Sequence, residues 1–279
     1  MKTILALSAT VLMAASVAQA QTAAPTPEWT VAGNASLNSD YRFRGFTQTN
    51  YGAALQGGID LTHRSGFYLG NWNSNVAQDL YNGASLEMDF YGGFKGEVAP
   101  GVGYDIGAIY YYYPQSGVDR VGNLGGTLAD KKISNQEVYL GFSYGPLSAK
   151  LFYATGDYFK SAYLVGAPLS TKGTTYLDLA YSQEINGIVL GAHYGLLTVK
   201  NYNQDELTMS GDVGGPLSKY VGDYKLSIGK DIGAGYVLTG ALVGTTKKGY
   251  FATDLINGST ANGKAAGKSS LVVSVAKTF

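Results

Sequence analysis

Ser143 lies in the run Gly141-Phe142-Ser143-Tyr144-Gly145, which matches the G-x-S-x-G pattern of a nucleophile elbow, and only His63 and His193 could serve it as a base. An elbow needs a sharp strand-to-helix turn that lifts the serine clear of the sheet. Here Val138, Leu140, Phe142 and Tyr144 alternate with Glu137, Gly141 and Ser143, which places Ser143 on one face of an extended strand. Neither histidine stands in H-x-x-x-H or H-E-x-x-H spacing, and the chain has no cysteine, so a zinc site would need scattered carboxylates. The expectation is therefore no catalytic, metal or cofactor-binding site. The enzymatic alternative is a lipid- or ester-cleaving barrel built on Ser143 and His193. His193 is followed by Tyr194, Gly195 and Leu196, not by the His-x-Ser-Asn-Gly run of outer-membrane phospholipases, and reads as a polar residue lining an interior.

A larger set of polar residues recurs at every second position. Asp40, Arg42, Arg44, Asp60, Glu87, Asp89, Asp105, Glu137, Lys150, Asp178, His193, Asp223 and Lys225 all sit opposite an apolar face, and are the candidate lining of a lumen. Both signs are present, a pattern that can build a hydrated pore or close on itself as an ion-pair plug. Eight acids stand against four bases, with His193 counted neutral near pH 7, so an open lumen would be net negative and mildly cation-preferring. Arg42 and Arg44 are expected at the far end of the first strand, with Glu87 and Asp89 as partners or as the other side of a constriction.

The elements that would carry these residues are strands. Trp29, Val31, Ala35, Leu37, Tyr41 and Phe43 share one parity against Asn34, Ser36, Asn38, Asp40, Arg42 and Arg44. An alternation held for about fifteen residues is long for a sandwich strand and suits a tilted membrane-spanning one. The same period returns in eleven further segments, from Leu55–Thr62 to Ser269–Phe279; around Phe67–Asn75 the parity is ambiguous. Links alternate strictly. Short ones such as Arg64-Ser65-Gly66 and Gly145-Pro146 take turns with long ones at 45–52, 74–83, 114–135, 155–174, 197–219 and 246–268. That rhythm predicts an all-β, antiparallel up-and-down transmembrane barrel of twelve strands over residues 29–279, with tight turns at one end and loops at the other.

Composition agrees with this reading. The chain has 39 glycines, 23 tyrosines and only 14% charged residues, which favours strands, tight turns and interfacial aromatics. Residues 1–20 carry Lys2, an apolar run from Ile4 to Val17 and small residues at Ala18 and Ala20, the pattern of a secretory signal peptide. Pro- and Ala-rich residues 21–28 read as a flexible periplasmic lead-in. Without Lys2 the mature chain has 19 basic against 20 acidic residues, a balance that points to no nucleic-acid partner. The terminal strand alternates Leu271, Val273, Val275, Lys277 and Phe279 with Ser274, Ala276 and Thr278, and ends in an aromatic carboxy-terminus. Such an ending is the signal read by the barrel-assembly machinery, and it places the protein in the bacterial outer membrane, with lipid outside the wall and small hydrophilic solutes within it.

Ser39-Asp40-Tyr41-Arg42-Phe43-Arg44-Gly45-Phe46-Thr47-Gln48 resembles the matching stretch of a proteobacterial family of exported proteins, first catalogued as conserved hypotheticals and now called TorF-type porins. Further likeness lies in Gly66-Phe67-Tyr68-Leu69-Gly70, Glu87-Met88-Asp89-Phe90-Tyr91-Gly92-Gly93, Glu137-Val138-Tyr139-Leu140-Gly141 and the closing Val275-Ala276-Lys277-Thr278-Phe279. The resemblance implies a barrel and passive diffusion, carries over no catalytic or ligand residue, and leaves a closed structural or adhesive barrel as the remaining alternative. Lys277 departs from the apolar residue a barrel expects at its parity, and near the interface its stem can snorkel.

Overall fold

The computed structural model describes residues 27–117, 132–160, 170–200, 219–247 and 265–279. The signal segment, residues 21–26 of the lead-in and parts of four of the expected loops lie outside the described residues. The strands are β1 (Trp29–Asn38), β2 (Arg42–Phe43), β3 (Phe46–Thr47), β4 (Ala54–His63), β5 (Phe67–Asn75), β6 (Leu86–Ala99) and β7 (Val102–Tyr112). They continue with β8 (Ser134–Tyr144), β9 (Leu147–Ala154), β10 (Thr175–Ile185), β11 (Ile188–Thr198), β12 (Tyr220–Gly233), β13 (Tyr236–Thr245) and β14 (Ser270–Thr278). Twelve of them, β1 and β4 to β14, close into one antiparallel barrel in which each strand pairs with its neighbours in sequence, and β1 pairs with both β4 and β14. Every interior strand thereby satisfies its backbone groups on both edges, the condition for crossing a bilayer.

The two faces of each strand part as the alternation demands. In β8, Leu140 is 45% exposed while Glu137, three residues earlier, is 2% exposed. Val31, Leu37, Ile59, Phe90, Ile106, Leu151 and Leu226 join Leu140 on the outside, an apolar belt that a water-soluble protein would have to cover. Exposed Trp29, Tyr144 and Tyr236 mark its turn end, and Tyr112, Tyr153 and Tyr220 its loop end. The ambiguous strand β5 resolves with Tyr68, Trp72 and Ser74 inward and Leu69 outward.

The seam closes at Phe279. Its backbone exchanges hydrogen bonds with Gly33, at 2.7 and 2.9 Å, and its ring lies where a Cβ on Gly33 would sit only 2.5 Å away. Lys277 keeps its outward parity by laying its ammonium 4.5 Å from the Tyr236 ring centre.

Inside the wall, tyrosines lean over glycines. Register aligns Tyr68, Gly93, Gly107 and Tyr139 in one row across β5 to β8, and the Tyr68 and Tyr139 hydroxyls meet above the two glycines. A Cβ on Gly93 would stand 2.2 Å from the Ile106 carbonyl oxygen, and one on Gly107 would stand 2.5 Å from the Tyr139 hydroxyl. Gly93→Leu should therefore force β6 and β7 apart and break that arch, at a cost of about 1–3 kcal/mol. The midpoint of heat-modifiable migration would fall in the variant; an unchanged midpoint would contradict this packing.

The first strand departs from its expected length. β1 ends at Asn38, and the chain reverses through β2 and β3 at Arg44-Gly45, whose φ angles are +46° and +82°. Two consecutive positive φ values are those of a type I′ hairpin turn. The alternation through Tyr41 and Phe43 continued the period of β1, but Tyr41 is buried inside the barrel rather than facing lipid. Asp40 is the physical cause: its carboxylate accepts from Arg42 Nε at 2.5 Å, Thr47 Oγ1 at 2.6 Å and Thr49 Oγ1 at 3.1 Å, stapling both arms of the hairpin.

Candidate functional site: a hairpin inside the barrel

The β2–β3 hairpin lies across the lumen near its loop end and touches most of the wall. Tyr41 packs edge-on to Trp72 of β5 at 5.4 Å and donates to Glu87 Oε1 of β6 at 3.1 Å. Gly45 at the tip wedges against β12 and β13, where a Cβ would meet Asp223, Gly244 and Thr245 within 2.7 Å. Arg42 donates to the carbonyls of Gly45 and Lys268 at 3.0 and 3.1 Å and to Ser270 Oγ at 2.5 Å, and stands 4.6 Å from the Tyr51 ring centre.

Arg44 makes the deepest contact. Its guanidinium donates two parallel bonds to Glu137 of β8, Nη1 to Oε1 at 3.0 Å and Nη2 to Oε2 at 2.7 Å, and a third to the Tyr158 hydroxyl at 2.7 Å. It lies 4.1 Å from the Tyr176 ring centre and 5.5 Å from that of Phe152. Burial works against its charge, yet the Glu137 carboxylate, with Tyr158 and Tyr111, holds its pKa well above the ordinary arginine value. A fork-to-fork pair of this kind is charge-assisted and directional.

The structure gathers the thirteen sequence candidates into separate groups. Asp40 and Arg42 pair within the hairpin, and Arg44 pairs with Glu137. The expected partnership of these arginines with Glu87 and Asp89 does not form, because the reversal at Arg44-Gly45 throws Arg44 past β6 to the far wall. Glu87 instead accepts from Tyr41, and Asp89 lies beside it on the same face of β6; Glu87 Oε2 and Asp89 Oδ1 are both buried without a hydrogen-bond partner. Lys150 reaches over Gly141 to bind Asp105 at 2.6 Å, and Asp105 also accepts from Tyr68 at 2.6 Å. His193 bridges Asp223 at 2.8 Å and Asp178 at 3.3 Å, with Lys225 beside it in register on β12. Asp60 accepts from Tyr91 at 2.6 Å, across Gly70.

Two features escaped the sequence reading, the inward fold of the hairpin and the inward tyrosines; Lys95, on the polar parity of its strand in the sequence, shares the inner face of β6 and lies 5.1 Å from the Tyr68 ring centre. Glycines on the inner parity of β5, β6 and β7 were the available signal, since each leaves room for a neighbour's ring.

The pairing of Ser143 with His193 is excluded by register. His193, Ala180, Ser148 and Ser143 lie in one row over β11, β10, β9 and β8, so the two residues are three strands apart, roughly 14 Å at ordinary strand spacing. A nucleophile and its base must lie within hydrogen-bond reach. Among the described residues no group of three or more His, Asp or Glu side chains is placed to hold a metal ion.

A closed twelve-stranded barrel with an apolar exterior, charged interior and inward-folded first loop is an outer-membrane porin type of fold. The solved structure of the NanC porin superimposes with a TM-score of 0.51 at 8% identity, over 89% of this chain and 99% of that one. The KdgM porin gives 0.49 at 8% identity over 89% and 99%, and outer membrane phospholipase A from Escherichia coli 0.41 at 10% identity over 89% and 95%. At 8% identity the likeness to NanC is one of fold. The chain belongs to the Gcw_chp family, described as bacterial protein of unknown function, whose profile matches residues 21–279. No curated protein sequence matches it.

Proposed function

We propose that this protein is an outer-membrane channel of the TorF type for passive diffusion of small hydrophilic solutes, constricted by its β2–β3 hairpin. One observation carries the reading: charged side chains crowd the inside of a closed barrel whose outside is apolar. A purely structural barrel could fill that space with apolar side chains, whereas buried charge is costly unless it contributes something else. Export, assembly through the strand ending at Phe279, and residence in the outer membrane belong to the same proposal.

The selectivity follows from how the lumen charges are shared among their partners. Arg42, Arg44 and Lys150 are held by Asp40, Glu137 and Asp105, so the mouth arginines no longer oppose the acids. Asp178 and Asp223 share His193 beside Lys225, Asp60 accepts from Tyr91 and Lys95 lies over Tyr68, so an acidic excess that favours cations arises when Glu87 and Asp89 are ionised. Purified protein in planar bilayers under a potassium chloride gradient should give a reversal potential of the sign for cation preference. Anion preference would refute the charge argument, and absence of any channel event would favour the closed structural or adhesive alternative. The hydrolase alternative requires turnover of phospholipid or acyl-ester substrates that is lost in Ser143→Ala or His193→Ala; the separation of the two residues argues for no turnover.

A further inference from the structure

Arg44 occupies a cage that the rest of the barrel builds without it. Glu137 comes from β8, Phe152 from β9, Tyr176 from β10 and Tyr158 from the segment after β9; only the guanidinium belongs to the hairpin. A carboxylate set for two parallel N–H donors, with aromatic faces around it, matches a planar guanidinium and not the single point charge of an ammonium. The space is guanidinium-sized because a guanidinium fills it. A second observation lies on β6, where Tyr41 of the same hairpin donates to Glu87, and Glu87 Oε2 and Asp89 Oδ1 are buried with no hydrogen-bond partner. Withdrawing the hairpin would free Glu137 and Glu87 together, with Asp89 beside Glu87 on the same face of β6.

We propose that the Glu137 cage is a recognition site for guanidinium-bearing solutes, occupied in the closed barrel by Arg44, and that such a solute entering from the loop end displaces Arg44 and releases the hairpin. This deepens the channel reading and rests on it. The tethered Arg44 competes at an effective concentration in the millimolar range, so the free solute acts at millimolar levels or above. Binding to the wall in place of Arg44 shifts the population toward the open barrel only through that differential affinity.

The test combines bilayer conductance with calorimetry, using methylguanidinium as probe and methylammonium at equal ionic strength as control. Methylguanidinium should raise the conducting fraction of wild type several-fold and methylammonium should leave it nearly unchanged. Arg44→Gly should conduct without the probe and bind methylguanidinium about tenfold more tightly than wild type, because the internal competitor is gone. Adding Glu137→Gln to that variant should abolish the binding. Glycine is chosen because it accepts the positive φ at this turn position, and heat-modifiable migration reports whether each variant is folded. Wild-type channels that open equally with both cations, or that ignore both while Arg44→Gly conducts, overturn the proposal; the first of these outcomes needs no variant. If no variant conducts, the channel reading fails, and calorimetry on Arg44→Gly still decides whether the cage binds guanidinium.

Discussion

Arg44→Gly should undock the hairpin while leaving the wall intact. The substitution relieves rather than adds backbone strain, since a non-glycine residue stands at a φ of +46°. What it removes is the partner of Glu137, a carboxylate 2% exposed whose other hydrogen bond is a 3.3 Å one from Tyr111. Leaving one member of a buried pair uncompensated costs about 3–5 kcal/mol. That cost works against its other anchors, the Tyr41 bond to Glu87, the contacts of Arg42 and Gly45, Phe43 on Tyr111 and Phe159, buried Phe46 and the Thr47 amide bond to the Ala266 carbonyl, and shifts the balance toward a hydrated hairpin. Limited proteolysis should cut within residues 40–49 of the variant in detergent, and unit conductance should rise. Removing both partners, as in Arg44→Leu with Glu137→Leu, should restore most of the protection, since two apolar side chains leave no orphaned charge. Equal protection of wild type and Arg44→Gly would show that the pair does not hold the hairpin.

The second large effect is expected on the outside. Leu140 lies near the middle of β8 on the exposed parity, in register with Ile106 of β7 and Leu151 of β9, which face outward with it. If that face meets hydrocarbon, Leu140→Arg should destabilise the folded barrel by about 2–4 kcal/mol, the range for a cation at the bilayer midplane. The same change would matter little on a water-facing surface. Urea titration of the protein folded into lipid bilayers reads the difference directly. A variant as stable as wild type would place Leu140 in water and remove the membrane-spanning reading.

The sequence reading and the structure part company most at the hairpin after β1, and the residues there explain why. At β8, alternation alone put Glu137 inside and Leu140 outside, because side chains on a strand must alternate and one face of a wall must match lipid. The same rule, applied past Asn38, sent Tyr41 and Phe43 outward. Period two is a local property and is the same for a spanning strand and for one arm of a hairpin, so it could not report that the chain turns back at Arg44-Gly45. The turn itself had a visible signal in Gly45 and in Asp40 followed by Thr47 and Thr49, but not the direction in which the hairpin folds.

The order of residues by itself determined the barrel: strand parity, the alternation of short and long links and the aromatic terminus at Phe279 are each fixed by residues close together in the chain. Which charges pair was decided only by tertiary structure. Arg44 and Glu137 are 93 positions apart, and Lys150 and Asp105 are 45 apart. Their meeting depends on strand register and closure, and for Arg44 also on a hairpin that folds into the lumen. The physical reason is one of range: alternation is enforced residue by residue by the backbone, whereas the partner of a buried charge is chosen by whichever opposite charge the closed wall brings within reach.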